Sequence, residues 1–210
     1  MVKGADLYVT LAHRVFNESE GSQIIKQTLL ALKFLHDKNI VHRDIKSDNL
    51  LLLAEPESSH TGQLQVKLTD FGLAARIDPD VGGLKGFAGT PEYMAPEVVS
   101  QPTNKNFKSP EYGKVPLITL KSDIFAVGVL TYEILTGHTA FAFACKSSVR
   151  LYSAILTKEP QFKEEFFQYC TEDCINFIKL CLTKDQDARP STNELLQHPW
   201  LRSDDDLSPN

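Results

Sequence analysis

Residues 40–52 read IVHRDIKSDNLLL and place six ionisable or amide side chains between two apolar runs. A polar loop between apolar flanks suggests a functional site. The alternative is a pair of ordinary strands joined by a solvated turn, which composition alone would favour. The spacing of the polar residues, together with motifs further along the chain, decides between the two.

Three motifs stand in a fixed order. His-Arg-Asp at 42–44 is followed after four residues by Asn49, Asp-Phe-Gly lies at 70–72, and GTPEYMAPE covers 89–97. Together they resemble the catalytic loop and activation segment of the eukaryotic protein kinases. Because the three strings are in register, the chain is identified as similar to this family over residues 4–200. The GTPEYMAPE string and His-Pro-Trp at 198–200 resemble the calcium/calmodulin-dependent group.

The resemblance implies a chemical role for four residues. Asp44 would orient the substrate hydroxyl and accept its proton, while Lys46 would place a positive charge on the transferring phosphate. Asn49 and Asp70 offer the hard oxygen ligands that magnesium prefers, so ATP and Mg²⁺ are the implied cofactors. Lys46 and Asn49 would thus serve both catalysis and nucleotide binding. The structural alternatives are a surface ion pair for Lys46 and a turn cap for Asn49.

Two further residues resemble parts of the nucleotide site. Leu51 resembles the residue that closes the adenine pocket from below, and it would be equally at home in a plain core. Asp6 resembles the acid that touches the ribose or a basic substrate residue, or it is a solvated carboxylate at a helix start. Asp48 and Glu133 match positions that are often acidic in kinases preferring arginine near the phosphorylated residue. We therefore expect protein substrates with basic residues near the phosphosite, held by Asp6, Asp48 and Glu133.

The activation segment departs from the common pattern. In the family that this chain resembles, an arginine at the position of Arg43, beside the catalytic aspartate, normally binds a phosphate on the activation loop. Gly86 stands at the expected acceptor position. Between positions 73 and 94 the hydroxyl residues are Thr90 and Tyr93. Either an acid at position 78 or 80 replaces the phosphate or none is needed, so the sequence predicts that phosphorylation there is not the switch. Thr90 and Lys46 both match the serine/threonine type.

Hydrophobic periodicity predicts a helix over residues 19–39, with Ser19 or Ser22 as the N-cap and Asn39 as a left-handed stop. Two short strands follow, at 50–53 and 64–68. Polar, Pro-containing connections at 54–63 and 98–121 predict surface loops, and the second holds Ser109-Pro110.

Residues 122–135 are apolar nearly all round, which predicts a buried helix stopped by Gly137. It resembles the central helix of the large kinase lobe. Further helices are expected at 147–157, 172–182 and 191–197. The predicted fold is therefore mainly α, of the α+β class, with short β hairpins.

The resemblance also implies three structural contacts. Glu97 and Arg189 would form a buried ion pair, and Asp123 would anchor the backbone of the catalytic loop. His42 would stack with Phe71, and Trp200 would pack in the core.

The motifs assign residues 1–202 to the large C-terminal lobe of a kinase domain and 203–210 to an acidic tail. A complete kinase also has a glycine-rich loop, a strand lysine and a helix glutamate. None is found in this sequence, so the N-terminal lobe is expected to be absent, and that lobe or a partner should cover the cleft. A non-catalytic binding module and an incomplete gene model remain alternatives.

Composition sets the outer limits. The 210 residues are 42% hydrophobic and 23% charged, as in one ordinary globular domain. A net charge of −5 gives no reason to expect nucleic-acid or anionic-membrane binding. The four cysteines lack paired spacing, which favours buried free thiols over zinc or disulfides. With no long apolar run or signal-peptide pattern, we expect a soluble protein of the cytoplasm or nucleus.

Overall fold

The computed structural model describes residues 5–54, 64–101, 116–144 and 147–202. Helices dominate and the strands are short, which confirms the predicted mainly α class. The helices are α1 (Leu7–Leu11), α2 (Glu18–His36), α3 (Pro96–Val99), α4 (Lys121–Thr136), α5 (Ser148–Thr157), α6 (Glu164–Phe167), α7 (Glu172–Cys181) and α8 (Thr192–Leu196). The strands are β1 (Ala5–Asp6), β2 (Ile40–Val41), β3 (Leu50–Ala54), β4 (Gln65–Leu68) and β5 (Ala75–Arg76). Ser109-Pro110, most of the 54–63 connection and the acidic tail lie outside the described residues.

The centre of the molecule is α4, whose residues from Ser122 to Thr136 are all buried. It packs against α2, α6 and α7. Gly128 faces α7 so closely that a Cβ atom there would lie 2.7 Å from the Cβ of Cys181. The helix ends at Gly137, which is left-handed with φ of 74°. Both the buried helix and its stop are thereby confirmed.

The α2 helix begins earlier than the sequence periodicity predicts. Its N-cap is Asn17, not Ser19 or Ser22, because Asn17 and Glu20 form a reciprocal capping box. The helix ends at His36, and Asn39 has a φ of 56° after the intervening turn. The predicted left-handed conformation of Asn39 is therefore confirmed, whereas the predicted first and last residues of the helix are wrong.

Two small sheets flank the helices. In the larger sheet β3 lies between β1 and β4 and is antiparallel to both, which confirms the predicted strand pair. In the smaller sheet β2 pairs with β5. The stretch from β2 to β3 contains the polar loop, so strands hold both of its ends.

The buried ion pair is present as expected. Arg189 Nη1 donates to Glu97 Oε1 at 2.8 Å and Arg189 Nη2 to Glu97 Oε2 at 3.1 Å. The Arg189 guanidinium also donates to the backbone carbonyls of Thr183 and Lys121. This pair ties α3 to the segment that precedes α8.

Cys174 and Cys181 are buried free thiols, whereas Cys170 is only half-buried and Cys145 lies outside the described residues. Trp200 is 6% exposed and belongs to the core. In the ranges that the structure covers, no helix combines the length and apolarity needed to cross a bilayer.

Candidate active site

The polar loop takes an irregular path from β2 to β3 that α4 holds in place. Arg43 has a φ of 69°, in the left-handed region that side-chain-bearing residues seldom occupy. Asp123, in the first turn of α4, accepts the backbone N–H of His42 at 2.8 Å and that of Arg43 at 2.9 Å. His36 Nε2 lies 2.9 Å from the same carboxylate. The predicted anchor is confirmed, and it stabilises an otherwise unfavourable turn.

His42 joins this loop to the Asp-Phe-Gly turn. Its Nδ1 accepts the backbone N–H of Asp44 at 3.4 Å, so Nε2 carries the proton and donates to the carbonyl of Thr69 at 3.1 Å. Phe71 lies edge-on to the imidazole, with ring centroids 5.1 Å apart. The expected His42–Phe71 contact is confirmed.

Asp44, Lys46 and Thr90 form one hydrogen-bonded network. Lys46 Nζ lies 3.2 Å from Asp44 Oδ2. The hydroxyl of Thr90 donates to Asp44 Oδ1 at 2.7 Å and accepts from Lys46 Nζ at 2.9 Å. Thr90 belongs to the activation segment, so the network joins that segment to the polar loop.

The network sets the charge of Asp44. Burial alone would raise the pKa of Asp44, but hydrogen bonds from Thr90 and Lys46, the positive charge of Lys46 and a hydrogen bond from Asn49 outweigh it. The pKa of Asp44 therefore lies below its ordinary value. At neutral pH the group is a carboxylate, able to accept a hydrogen bond or a proton.

Asn49 and Asp70 present oxygen atoms from neighbouring segments. Asn49 Nδ2 donates to the carbonyl and the Oδ2 of Asp44, at 2.8 and 3.0 Å, and its Oδ1 accepts nothing from the described residues. Thr69 donates twice to the carbonyl of Asn49, which fixes the residue before Asp70. Asp70 is exposed with a φ of 57°, and its Oδ1 accepts the N–H of Gly72. This donor set fits magnesium, with phosphate and water completing the shell.

Asp6 and Leu51 are direct neighbours in the sheet. They are Cα partners across the β1–β3 ladder, so the structure brings them together. Asp6 is exposed at the N-cap position of α1, where its side chain caps no N–H, and Leu51 is half-buried. As directly opposed partners in the ladder, the two residues present their side chains on the same face of the sheet.

The three acids expected to bind a basic substrate differ in accessibility. Asp6 and Asp48 are exposed, whereas Glu133 is 9% exposed and accepts the hydroxyl of Tyr93 at 2.5 Å. Burial raises the pKa of Glu133, and the negative charge of Asp48 raises it further, against hydrogen bonds from Tyr93 and Ser47. Asp48 and Glu133 therefore lie close enough to interact, but only Asp48 of the two is open to solvent.

The activation segment is held by contacts that need no phosphate. The N–H of Gly86 donates to Gln101 Oε1 at 3.1 Å, and Gln101 Nε2 donates to the carbonyls of Glu97 and Pro116. Leu84 and Ile118 exchange two backbone hydrogen bonds of 2.8 Å each. Arg43 Nε donates to the carbonyl of Leu73 at 2.6 Å.

Glycine is required at position 89, where the activation segment passes the polar loop. Its φ is 116°, and a Cβ there would lie 2.6 Å from the carbonyl oxygen of Arg43. Any larger residue would push Thr90 away from Asp44.

Sequence reasoning missed two parts of this arrangement. The sequence predicts Thr90 only as a marker of the serine/threonine type, not as the bridge between Asp44 and Lys46, and it gives no expectation for Gln101. The sequence does mark Thr90 as a candidate, since it lies in the GTPEYMAPE motif. The Gln101 contact depends on a tertiary approach that no local pattern encodes.

A helical lobe built round α4, with a His-Arg-Asp loop facing an Asp-Phe-Gly turn, defines a protein kinase lobe. The family model described as Protein kinase domain matches residues 1–201, and the chain belongs to that family.

Among curated relatives, calcium/calmodulin-dependent protein kinase type I of Schizosaccharomyces pombe is 36% identical over 203 residues, 96% of this chain and 54% of that protein. Death-associated protein kinase dapk-1 of Caenorhabditis elegans is 34% identical over 96% of this chain and 13% of its own length. Serine/threonine-protein kinase DCLK2 of Mus musculus is 33% identical over 97% of this chain and 24% of its own length. The chain thus spans only part of each of these relatives.

Proposed function

We propose that this chain forms the phosphate-transferring lobe of a serine/threonine protein kinase, which moves the γ-phosphate of ATP to a protein hydroxyl. The network of Asp44, Lys46 and Thr90, with Asn49 bonded to Asp44, carries the proposal. The family membership and the printed names of the relatives support it.

Each residue has a defined task in this proposal. Asp44, kept ionised by its donors, orients the substrate hydroxyl and accepts its proton. The ammonium of Lys46 faces the transferring phosphate and offsets its growing charge. Asn49 Oδ1 and the Asp70 carboxylate would hold magnesium, which neutralises phosphate oxygens when bound.

The remaining nucleotide contacts would come from an N-terminal lobe or a partner that covers the cleft. Phe71 and Leu73 are 50% and 37% exposed beside Asp70, as a surface awaiting such a cover would be. Asp6 and Leu51 would then meet the ribose and the adenine.

Ligand-induced stabilisation tests the nucleotide site, since a ligand that binds the folded form raises the melting temperature. We expect ATP to raise Tm only when Mg²⁺ is present, and Asp70→Asn to abolish the shift. Asp78→Asn makes the same charge change on an exposed activation-segment residue and should leave the shift intact. A shift that is independent of both magnesium and Asp70 would contradict the proposed site.

Transfer is tested separately with radiolabelled ATP and a serine/threonine peptide. Asp44→Asn should keep the magnesium-dependent shift and lower the transfer rate by about 10²–10⁴-fold, the usual contribution of a positioned base. If the chain binds magnesium and ATP but transfers no phosphate when the lobe or partner that covers the cleft is present, it is a non-catalytic binding module.

For substrates, we infer a preference for basic residues near the phosphosite, supported by the exposed carboxylates of Asp48 and Asp6. A peptide array should show enrichment of Arg or Lys, and Asp48→Asn should reduce it. An array without basic preference would remove this part of the proposal.

For regulation, we infer that activation-loop phosphorylation is not the switch. The Gly86–Gln101 and Leu84–Ile118 contacts support this, because they already hold the segment. Gln101→Ala should increase amide exchange in residues 84–90, whereas Ser100→Ala, one residue away, should not. A stoichiometric phosphate on Thr90 or Tyr93 in active protein would contradict the inference.

A further inference from the structure

Two cysteines and a carboxylate meet at the start of α7, far along the chain from the polar loop. Cys170 lies just before Thr171, the N-cap of α7, and Cys174 is the third residue of the helix. The ligand atoms of Cys170, Cys174 and Glu18 all lie within 4.8 Å of one another. Cys174 is fully buried, while Cys170 is half-buried and reaches solvent.

This cluster has the composition of a metal site, but its carboxylate is already committed. Glu18 Oε2 accepts the N–H of Thr171 at 2.8 Å, and Glu18 Oε1 accepts the hydroxyl of Thr171 at 2.6 Å and Trp200 Nε1 at 2.9 Å. A metal ion would have to displace these donors, and two thiolates alone leave a tetrahedral ion two ligands short. The geometry therefore favours chemistry between the two thiols.

The two sulfur atoms are electrostatically unequal. A hydrogen bond from the Cys174 thiol lowers the pKa of Cys170, against burial and the negative charge of Glu18. The same hydrogen bond and burial raise the pKa of Cys174. Cys170 is thus accessible and favours the thiolate, as an attacking cysteine must. Cys174 is a buried thiol beside it, in the position of a resolving cysteine.

We propose that Cys170 and Cys174 form a dithiol that hydrogen peroxide oxidises to an intramolecular disulfide. The Cys170 thiolate attacks one peroxide oxygen, the O–O bond breaks, and hydroxide leaves and takes up a proton as water. The product is a sulfenic acid on Cys170. The Cys174 sulfur then attacks the Cys170 sulfur, the S–O bond breaks, and hydroxide leaves with the Cys174 proton as a second water. A reducing thiol restores both groups by exchange.

Cys181 provides an internal control, because it sits at the other end of the same helix. It is completely buried, and burial raises the pKa of its thiol. In the native protein Cys181 should resist both peroxide and alkylating reagents.

Peptide mapping under non-reducing conditions tests the proposal on the folded full chain. Trypsin releases residues 164–179, which contain both cysteines of the pair and not Cys181. After brief exposure to dilute peroxide we expect this peptide to lose the mass of two hydrogen atoms and to regain it with dithiothreitol. Cys181 should stay unmodified.

Single variants assign the two roles. Cys174→Ser should trap the sulfenic acid on Cys170, detected as a dimedone adduct, and Cys170→Ser should slow oxidation of the remaining thiol by about tenfold or more. Cys181→Ser should oxidise at the pair as the wild type does, and circular dichroism checks that each variant is folded.

Three results would overturn the proposal. The first is a peptide that either keeps its mass or gains the mass of two oxygen atoms, as it would if Cys170 were driven directly to sulfinic acid. The second is Cys170 alkylation no faster than that of Cys181. The third is retention of one equivalent of Zn²⁺ by the purified chain, lost in Cys170→Ser and Cys174→Ser, which would make the cluster a metal site.

Discussion

Asp44 keeps a negative charge although its side chain is only 11% exposed. Burial of a carboxylate normally favours the neutral acid, so the charge depends on the donors around it. Thr90, Lys46 and Asn49 each contribute a hydrogen bond, and they come from two separate segments. The pKa of this one group therefore depends in part on the contact with the activation segment.

The pH dependence of the free energy of unfolding tests whether the hydrogen bonds to Asp44 outweigh the effect of its burial. Because the folded pKa of Asp44 lies below the ordinary 3.8, the ionised group stabilises the fold above that value, and the contribution is lost as pH falls through the folded pKa. The difference in free energy of unfolding between wild type and Asp44→Asn should be largest above about pH 5 and shrink towards lower pH.

Urea unfolding between pH 3 and 7 is the appropriate measurement. Thr90→Val removes the hydrogen bond that lowers the pKa of Asp44 most, so in that background the difference should depend less on pH. A difference that stays constant with pH in both backgrounds would contradict the assignment of charge to Asp44.

At the scale of elements, the buried pair links α3 to the segment before α8. Glu97→Gln leaves the guanidinium of Arg189, which is 1% exposed, without its counter-charge. We expect a loss of about 3–5 kcal/mol in free energy of unfolding, measured in urea.

Adding Arg189→Met to Glu97→Gln should recover part of that loss, because the uncompensated charge is then gone. If the loss in free energy of unfolding of the double variant equals the sum of the losses of Glu97→Gln and Arg189→Met alone, the two side chains are not coupled as the geometry requires.

The contact between α4 and α7 depends on Gly128. Gly128→Ala places a methyl group 2.7 Å from the Cβ of Cys181 and should cost about 1–3 kcal/mol in spite of the better helix propensity of alanine. Gly21→Ala is the matched control. There the nearest atom is Cδ2 at the end of the Leu135 side chain, at 3.1 Å, which needs to shift by only a few tenths of an ångström, so the change should be close to neutral. Equal Tm values for the two variants would show that α4 and α7 can separate without cost.

Local patterns predicted the elements, and the resemblance to the kinase family predicted distant contacts such as the Glu97–Arg189 pair, but contacts outside the family motifs were not predicted. The stretch that is apolar nearly all round located α4, and α8 begins close to the predicted residue 191, where Ser191 and Glu194 form a capping box. Asn17 and Glu20 have the same capping-box spacing, but Ser19 and Ser22 nearby are also good N-cap residues, so composition alone does not identify the cap of α2. The Gly86–Gln101 contact could not be predicted, because it forms only where tertiary folding brings the two backbone segments together, and no local pattern encodes that approach.

At the scale of the whole molecule, Glu18 connects distant parts of the chain. It joins the start of α2 to Thr171, 153 residues away, and to Trp200, 182 residues away. Glu18→Ala should lower the free energy of unfolding by about 1–3 kcal/mol, since it leaves these donors unpaired.

Trp200 is the single tryptophan, so its fluorescence reports this connection directly. We expect a red-shifted native spectrum in Glu18→Ala and an intermediate one in Glu18→Gln, which keeps one acceptor oxygen. An unchanged spectrum in both variants would mean that the indole N–H does not depend on Glu18.

The same connection limits when this lobe can finish folding. Ribosomes extend a chain from its N-terminus, so the Glu18 carboxylate emerges long before the indole that it binds. Until residue 200 has left the exit tunnel, Glu18 at the beginning of α2 can bind Thr171 but not the indole of Trp200. The nascent polypeptide must therefore keep part of its apolar surface open to chaperones until residue 200 has emerged, and completion of the lobe waits for the segment that carries Trp200.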